Sequence, residues 1–134
     1  TIYPDKTYVH TDPTTAEMVK YFANTFLATK VAFANEMYDV CVGAGLNYDV
    51  VAKYATMDSR LGNSHWKVPG PDGKRGFGGS CFPKDINALI SFCSERKVEV
   101  PLISTVWEKN LKVRPERDWE RLVGRAVVGD KTDD

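Results

Sequence analysis

Apolar residues recur at steps of three and four positions along an uninterrupted stretch of the chain that ends at Gly43. This spacing, with no Pro or Gly inside it, predicts one long helix over residues 14–43. Its apolar positions are Met18, Phe22, Phe26, Val31, Phe33, Met37, Val40 and Cys41. Asp12 or Thr14 can accept a hydrogen bond from a free amide at the helix start, and Gly43 with Gly45 suits its end.

The length of this helix indicates a partner. A helix of about 30 residues extends roughly 45 Å, which is more than a small domain needs for its own core. Its small residues would let a second helix approach closely; they are Ala23, Ala28, Ala32 and Ala34. We therefore expect the helix to pack against another domain or another chain. Residues 1–12 are expected to be the end of a preceding linker or strand.

Three shorter helices are predicted, at residues 47–56, 83–96 and 101–113. Asn47 or Asp49 opens the first of them, and Pro83 and Pro101 suit the first turns of the other two. Their apolar positions are Val50, Val51, Tyr54 and Ala55; Ile86, Leu89, Ile90 and Cys93; and Ile103, Val106, Trp107 and Leu111. The predicted fold class is therefore all-α.

A long irregular segment, residues 57–82, separates the second and third helices and holds six of the ten glycines. Loops of this length inside a small domain are usually functional or disordered. We expect one helical domain over residues 13–114, built on the long helix and carrying this Gly-rich loop as its active-site loop. Residues 115–134 are expected to form a C-terminal tail.

Composition narrows the function classes. Lys and Arg total 18 and Asp and Glu total 18, so the net charge is zero, which argues against a nucleic-acid binder. No apolar run approaches the roughly 20 residues of a membrane span. Three cysteines without a CxxC pair argue against a disulfide framework and against a metal site, and reduced thiols fit a cytoplasmic protein.

The stretch from Gly76 to Asp85 carries the strongest candidate chemistry. Cys81 lies just before the helix start marked by Pro83, where the helix dipole stabilises a thiolate. Lys84 adds a cation, and Asp85 falls in the first turn, where it can reach polar groups near the thiol. This is how a nucleophilic cysteine is built, although a small buried residue in a tight turn is the alternative.

Lys20 and Asn24 lie four residues apart, on one face of the long helix. Both can donate hydrogen bonds to a developing oxyanion, or both can sit at the solvent edge of the apolar stripe. Cys41 and Cys93 lie on apolar faces and are expected in the core. The two histidines, His10 and His65, lack a supporting motif, which disfavours a cysteine peptidase or another thiol enzyme that needs a paired histidine.

Three segments, residues 19–28, 57–62 and 76–85, resemble the nucleotide-sugar 6-dehydrogenases in sequence, order and separation. Members of that family have an N-terminal Rossmann domain for NAD, a helical central domain and a C-terminal nucleotide-binding domain. The chain is similar to the central domain alone and shows no GxGxxG phosphate cradle. The resemblance implies a homodimer built on the long helix, and a chain that is inactive by itself.

The resemblance also implies the roles of the site residues. Cys81 would attack an aldehyde intermediate during the NAD-dependent oxidation of a sugar C6 alcohol to a carboxylate, through a thiohemiacetal and a thioester. Lys20 and Asn24 would stabilise the oxyanions, and Asp85 would work with Lys20 and a water in proton transfer. Lys84 would lie near the cofactor.

Arg60 would reach into the sugar-nucleotide site of the neighbouring subunit. The other residues expected to line the substrate are Lys67, Gly76, Phe77, Gly78 and Gly79, on a loop lengthened by residues 68–75. The motif around Cys81 favours UDP-glucose as substrate, with GDP-mannose as the alternative. A non-catalytic helical dimerisation module is a further alternative, which the joint presence of Cys81, Lys20, Asn24 and Asp85 disfavours.

Overall fold

The computed structural model describes residues 12–121, which form four α-helices and two short 3-10 turns. The helices are α1 (Pro13–Gly43), α2 (Tyr48–Ala55), α3 (Cys81–Glu95) and α4 (Pro101–Val113), and the 3-10 turns are Ser59–Leu61 and Asp118–Arg121. No β-strand occurs between residues 12 and 121, and the all-α prediction is confirmed. The segments expected before residue 12 and at the end of the tail lie outside the described residues.

Helix α1 begins and ends as its sequence predicts. Asp12 is the N-cap, and its carboxylate accepts a 2.7 Å hydrogen bond from the amide of Thr15. At the other end, the amide of Leu46 donates to the carbonyl of Cys41 at 2.8 Å, and Gly45 adopts a φ of +74°. This left-handed residue is the usual way to end a helix, because glycine carries no Cβ to oppose it.

The core forms where α1 packs against α3 and α4. Ala28 and Ala32 of α1 are buried there together with Phe77, Ile86 and Val106. Alanine at the contact lets the helix axes approach, as its small side chain predicts. A second buried cluster joins α1 to α2 and to the following loop; its members are Ala34, Cys41, Tyr48 and Val68.

The large apolar residues of α1 face outward instead. The exposed fractions of Phe22, Phe26, Phe33 and Val40 are 74%, 57%, 57% and 53%. On an ideal helix these four positions fall within about 40° of one another, so they form one stripe. We call these four residues the α1 stripe. The apolar residues that α1 buries are small; they are Ala28, Ala32, Ala34 and Cys41. The large apolar residues of the stripe therefore lie on the outer face of the helix.

Two details of the later helices differ from the sequence predictions. Helix α3 begins at Cys81 and not at Pro83, because the amide of Lys84 already donates to the carbonyl of Ser80 at 3.2 Å. Pro83 still fits, since the third helical position needs no intrahelical amide donor. Cys41 is buried as expected, but Cys93 is only partly buried. Helix α4 spans the predicted residues.

The chain continues to pack onto the helices after α4. Trp119 is 2% exposed, and its ring centroid lies 5.1 Å from that of Trp107. Residues 115–121, assigned by the sequence to a tail, therefore belong to the packed unit. None of the helices between residues 12 and 121 combines the length and apolarity that crossing a bilayer requires.

Candidate active site

The four residues predicted to be catalytic occupy facing surfaces of α1 and α3. The side-chain amide of Asn24 donates a 2.6 Å hydrogen bond to Oδ2 of Asp85, and the ammonium of Lys20 lies 3.8 Å from Oδ1 of the same carboxylate. Asp85 is 3% exposed, whereas the Lys20 side chain is 48% exposed. A buried carboxylate is thus held between a neutral donor and a cation from the opposite helix.

Helical spacing explains why these residues meet. Lys20 and Asn24 are one turn apart on α1, and Cys81 and Asp85 are one turn apart on α3. The packing of α1 on α3 then brings both pairs to one place. Cys81 is exposed at the helix start, while Asp85 is buried one turn further along, so the thiol is accessible beside a fixed charge.

The Lys20 ammonium can bind a substrate oxygen while it remains paired with Asp85. An ammonium has three N–H donors, and at 3.8 Å from Asp85 the Lys20 group is loosely held and half-exposed. Asn24 is held more tightly, because the hydrogen bond from its side-chain amide to Asp85 is short.

Tyr21 lies on α1 next to Lys20. Burial, followed by the charges of Glu17 and Asp85, raises the pKa of Tyr21 above its usual value.

The Gly-rich turn before Cys81 is held by the side chains of α4 and of the turn that follows it. The carboxamide of Asn110 accepts from the amide of Phe77 at 2.7 Å and donates to the carbonyl of the same residue at 2.9 Å. Arg114 donates to the carbonyls of Arg75 and Gly76 at 3.2 and 3.3 Å. The backbone of the turn therefore has side-chain partners on both its N–H and C=O groups.

Two glycines of this turn are required by close packing against these side chains. Gly76 has a φ of +74°, and a Cβ there would collide with the carboxamide oxygen of Asn110. A Cβ at Gly78 would collide with the guanidinium of Arg114. The side chain of Phe77 points into the core cluster and is 4% exposed. At Gly76 and Gly78 the close approach is to the protein itself, whereas a Cβ at Gly79 would meet open space.

Asp118 completes the support of the turn from the 3-10 turn after α4. Its carboxylate accepts from the amide of Gly79 at 3.0 Å and from Arg114 at 2.7 Å. Burial by itself would raise the pKa of Asp118, but the hydrogen bonds from Arg114 and Gly79 and the Arg114 charge together lower it from 3.8 to about 2. Arg114 also pairs with Asp72 at 2.6 Å, which ties the preceding loop to the same cation.

Sequence reasoning missed Asn110, Arg114 and Asp118. A signal for the first two exists, because both continue the buried stripe of α4 that includes Val106 and Trp107 at helical spacing. Asn110 is 1% exposed and Arg114 is 2% exposed. Polar residues at positions where the pattern calls for apolar ones must find buried partners, and here those partners are the backbone groups of the turn.

Lys30 and Arg75 hold the rest of the loop onto α1. The ammonium of Lys30 donates to the carbonyl of Leu61 at 3.0 Å and lies 4.8 Å from the ring centroid of Trp66. Arg75 donates to the side chain of Asn35, which is 1% exposed, at 2.9 Å. These buried polar contacts fix both ends of the long loop relative to the helix that carries Lys20.

Of the remaining charged residues predicted for the site, two lie between α2 and α3 and one lies on α3, in the same turn as Cys81. The Arg60 side chain is 87% exposed and pairs with Asp58 at 2.6 Å, so it faces outward from the described part of the chain. Lys67 lines an open cavity of about 590 Å³ between α2 and the loop. Lys84 is exposed on the first turn of α3.

The chain is similar in sequence to known proteins over most of its length. The family model described as "UDP-glucose/GDP-mannose dehydrogenase family, central domain" matches residues 14–112. A UDP-glucose 6-dehydrogenase of Rickettsia felis is 43% identical over 115 residues, which cover 86% of this chain and 24% of the relative. The UDP-glucose 6-dehydrogenase TuaD of Bacillus subtilis is 41% identical over 106 residues, covering 79% of this chain and 22% of the relative.

A UDP-glucose 6-dehydrogenase of Rhizobium meliloti is 38% identical over 120 residues, 90% of this chain and 25% of the relative. The chain thus spans about a quarter of the length of the curated relatives it matches. The matched range includes α1, the Gly-rich turn and α3, where the candidate residues lie. By sequence match and by its helical fold, the chain belongs to the UDP-glucose/GDP-mannose dehydrogenase family and corresponds to the family's central domain.

Proposed function

We propose that this chain is the central catalytic part of an NAD-dependent dehydrogenase that oxidises the C6 alcohol of UDP-glucose to a carboxylate. The observation that carries the proposal is the exposed thiol of Cys81, one helical turn from a buried Asp85 that binds Asn24 and faces Lys20. A scaffold has no need of an accessible thiol beside a buried carboxylate paired across two helices. The printed names of the relatives favour UDP-glucose over GDP-mannose.

Cys81 acts as the nucleophile. Its thiolate sulfur forms a bond to the C6 carbon of the aldehyde, and the carbonyl oxygen becomes the oxyanion of a thiohemiacetal. After the second oxidation the carbon is held as a thioester. Water then attacks that carbon, the carbon–sulfur bond breaks, and the products are the carboxylate and the free Cys81 thiol. The accessibility of the sulfur supports this role, because a sugar C6 atom must approach it directly.

Lys20 and Asn24 stabilise the oxyanions, and Asp85 orients both. The Lys20 ammonium is loosely paired at 3.8 Å, so it can turn a donor toward the substrate oxygen and can give or take a proton there through a water. The short bond from Asn24 to Asp85 fixes the carboxamide on the same side of the site.

Two NAD molecules, bound in turn, would each accept one hydride, one in each oxidation. Residues 12–121 form no strand that could begin a dinucleotide-binding cradle, so the main contacts of the cofactor would come from outside this range. Lys84 is the one residue here that we assign to the cofactor, because it is an exposed cation on the first turn of α3.

The substrate is held by the loop between α2 and α3. Lys67 contributes a cation to the open cavity there, beside Trp66 and Tyr48, which suits the diphosphate and the base of a sugar nucleotide. Gly76 lines the same cavity, and we assign Phe77, Gly78 and Gly79, which follow it toward Cys81, to the substrate as well. Arg60 extends away from its own chain, and we assign it to the sugar-nucleotide site of a second subunit.

The second subunit packs on the α1 stripe. Four large apolar residues on one face of a single helix are each more than half exposed, which is unusual for an isolated soluble surface. A parallel or antiparallel copy of α1 covers this face in the homodimer that we propose. The small inner face of α1 remains occupied by α3 and α4, so both faces of the helix are used.

The test is NADH formation by the full-length protein that carries this chain, with UDP-glucose and NAD. We expect two NADH per sugar, loss of turnover by at least about a thousandfold in Cys81→Ser, and unchanged turnover in the matched variant Cys93→Ser, which alters a partly buried thiol of the same helix. A higher kcat/KM with GDP-mannose would reassign the substrate. Full turnover in Cys81→Ser would exclude the nucleophile.

A further inference from the structure

The turn formed by residues 75–79 packs on α3 through Phe77, but between residues 12 and 121 no side chain of α3 donates a hydrogen bond to it. Ser80, the N-cap of α3, makes no side-chain capping hydrogen bond. The hydrogen bonds that side chains make to the backbone of this turn come from Asn110, Arg114 and Asp118, which are 33 to 39 positions away along the chain. The backbone that leads into α3 is therefore held by the end of α4 and the 3-10 turn after it.

We propose that Asn110 and Asp118, ordered by Arg114, are positioning residues that hold the 75–79 turn and thereby hold Cys81 in place at the start of α3. The inference rests on the proposed function, in which Cys81 is the nucleophile. Neither residue touches the reacting atoms in this view. Their effect passes through the backbone of Phe77 and Gly79.

Asn110 holds the two peptide units that flank the Cα of Phe77. Its carboxamide satisfies the N–H and the C=O of Phe77, and at 1% exposure it is shielded from competing water. Only a carboxamide offers an acceptor and a donor in this geometry. The oxygen of Asn110 also occupies the space that a Cβ at Gly76 would need, so the amide and the glycine fit each other.

Asp118 holds the end of the turn nearest to the thiol. The amide of Gly79, two residues before Cys81, donates a hydrogen bond to the Asp118 carboxylate. The carbonyl of Ser80, between Gly79 and Cys81, accepts the first hydrogen bond of α3. Arg114 fixes the Asp118 carboxylate with two donors, at 2.7 and 3.1 Å, and is itself 2% exposed. A shift of Asp118 is thus passed to Cys81 through two peptide units.

Two measurements on the 134-residue chain test this without substrate or cofactor. Hydrogen exchange followed by NMR reports the Phe77 and Gly79 amides. The rate at which iodoacetamide alkylates Cys81, resolved by peptide mass spectrometry from about pH 6 to 9, reports the environment of the thiol. In Asn110→Ala we expect Phe77 exchange to rise about tenfold or more, and in Asp118→Ala we expect the same for Gly79.

In both variants we also expect the rates in the Cys81 alkylation profile to differ from those of the wild type by about threefold or more, because the sulfur is no longer held in place at the start of α3. The matched controls are Glu108→Ala on the exposed side of α4 and Glu120→Ala in the same 3-10 turn as Asp118, and both should behave as wild type. Circular dichroism checks folding. If Asn110→Ala is unfolded, Asp118→Ala alone decides.

A Cys81 profile that matches the controls in Asp118→Ala overturns the positioning role, even if the Gly79 amide exchanges faster, because the residue then serves stability only. This outcome is separate from the failure of the proposed function. Alkylation needs no turnover, so a displaced profile supports the positioning role even where the full-length protein forms no NADH, and an unchanged profile opposes it even where Cys81→Ser abolishes NADH formation.

Discussion

Asp85 is the residue on which the geometry of the site depends. A carboxylate that is 3% exposed must be compensated, and its two compensating groups differ in kind: a 2.6 Å hydrogen bond from Asn24 and a 3.8 Å ion pair with the half-exposed Lys20. Short hydrogen bonds to buried charges are worth more than long ion pairs at a surface. Asn24, the neutral partner, is therefore the stronger anchor of Asp85.

Double-mutant cycles test this order. The coupling free energy between Asn24→Ala and Asp85→Ala, taken from urea unfolding of the chain, should be about 1.5–3 kcal/mol. The matched cycle, Lys20→Ala with Asp85→Ala, should give less than about 1 kcal/mol, because solvent screens the exposed ammonium. A larger coupling to Lys20 than to Asn24 would contradict this reading of the site.

Asp118 gives a pH-dependent contribution to stability. Its pKa is lowered from 3.8 to about 2 in the folded chain, so its interactions are fully present above about pH 4 and are lost as the pH falls toward 2. The difference in free energy of unfolding between wild type and Asp118→Asn should be about 2 kcal/mol at pH 6. It should shrink through this window and vanish below about pH 2 in urea unfolding. A difference that stays constant from pH 6 to 2 would falsify the assignment.

At the scale of elements, the Gly-rich turn packs closely against α4. Substitutions of the loop glycines test how tight this packing is. Gly76 and Gly73 have nearly the same φ, +74° and +79°, but a Cβ at Gly76 would strike Asn110 whereas one at Gly73 would meet open space. Gly73→Ala should cost about 1 kcal/mol from backbone strain alone, and Gly76→Ala about 1–3 kcal/mol more. Thermal or urea unfolding measures both. Equal losses would mean that Asn110 moves aside freely.

Helix starts and ends were largely predictable from local chemistry. Asp12 at the start of α1, Asn47 at the start of α2 and Pro101 at the start of α4 act through their own side chains or rings, so a few neighbouring residues suffice. Helix α3 was placed two residues late, because Pro83 suggested the start. Its true start at Cys81 depends on a turn held from α4, which no local pattern reveals.

At the scale of the whole molecule, the α1 stripe is an apolar face that residues 12–121 leave exposed. Phe26 belongs to the stripe and is 57% exposed. Phe26→Glu should shift the chain from dimer to monomer in sedimentation at micromolar concentration, because burying a charge in an apolar interface is costly. Val98→Glu, at a 54% exposed residue in the turn between α3 and α4, should not. A wild-type chain that sediments only as a monomer argues against the dimer.

Local pattern and chemistry by themselves determined the four helices, the placement of Cys41 in the core and the pairing of Lys20 with Asn24 and of Cys81 with Asp85 along their own helices. Each of these follows from spacing along one segment. The sequence pattern does not decide which face of α1 turns inward, because the alanine face and the phenylalanine face both have helical periodicity. Only packing against α3 and α4 decided between them.

Tertiary structure alone also decided that the two pairs meet at Asp85, and that Asn110, Arg114 and Asp118 hold the turn before the thiol. These contacts join positions more than 30 residues apart in the chain. The physical reason is that a buried polar group requires a partner but does not specify which one. The packing of the helices determines the partner. A single sequence shows that a buried polar residue needs a partner, but it does not show which residue that partner is.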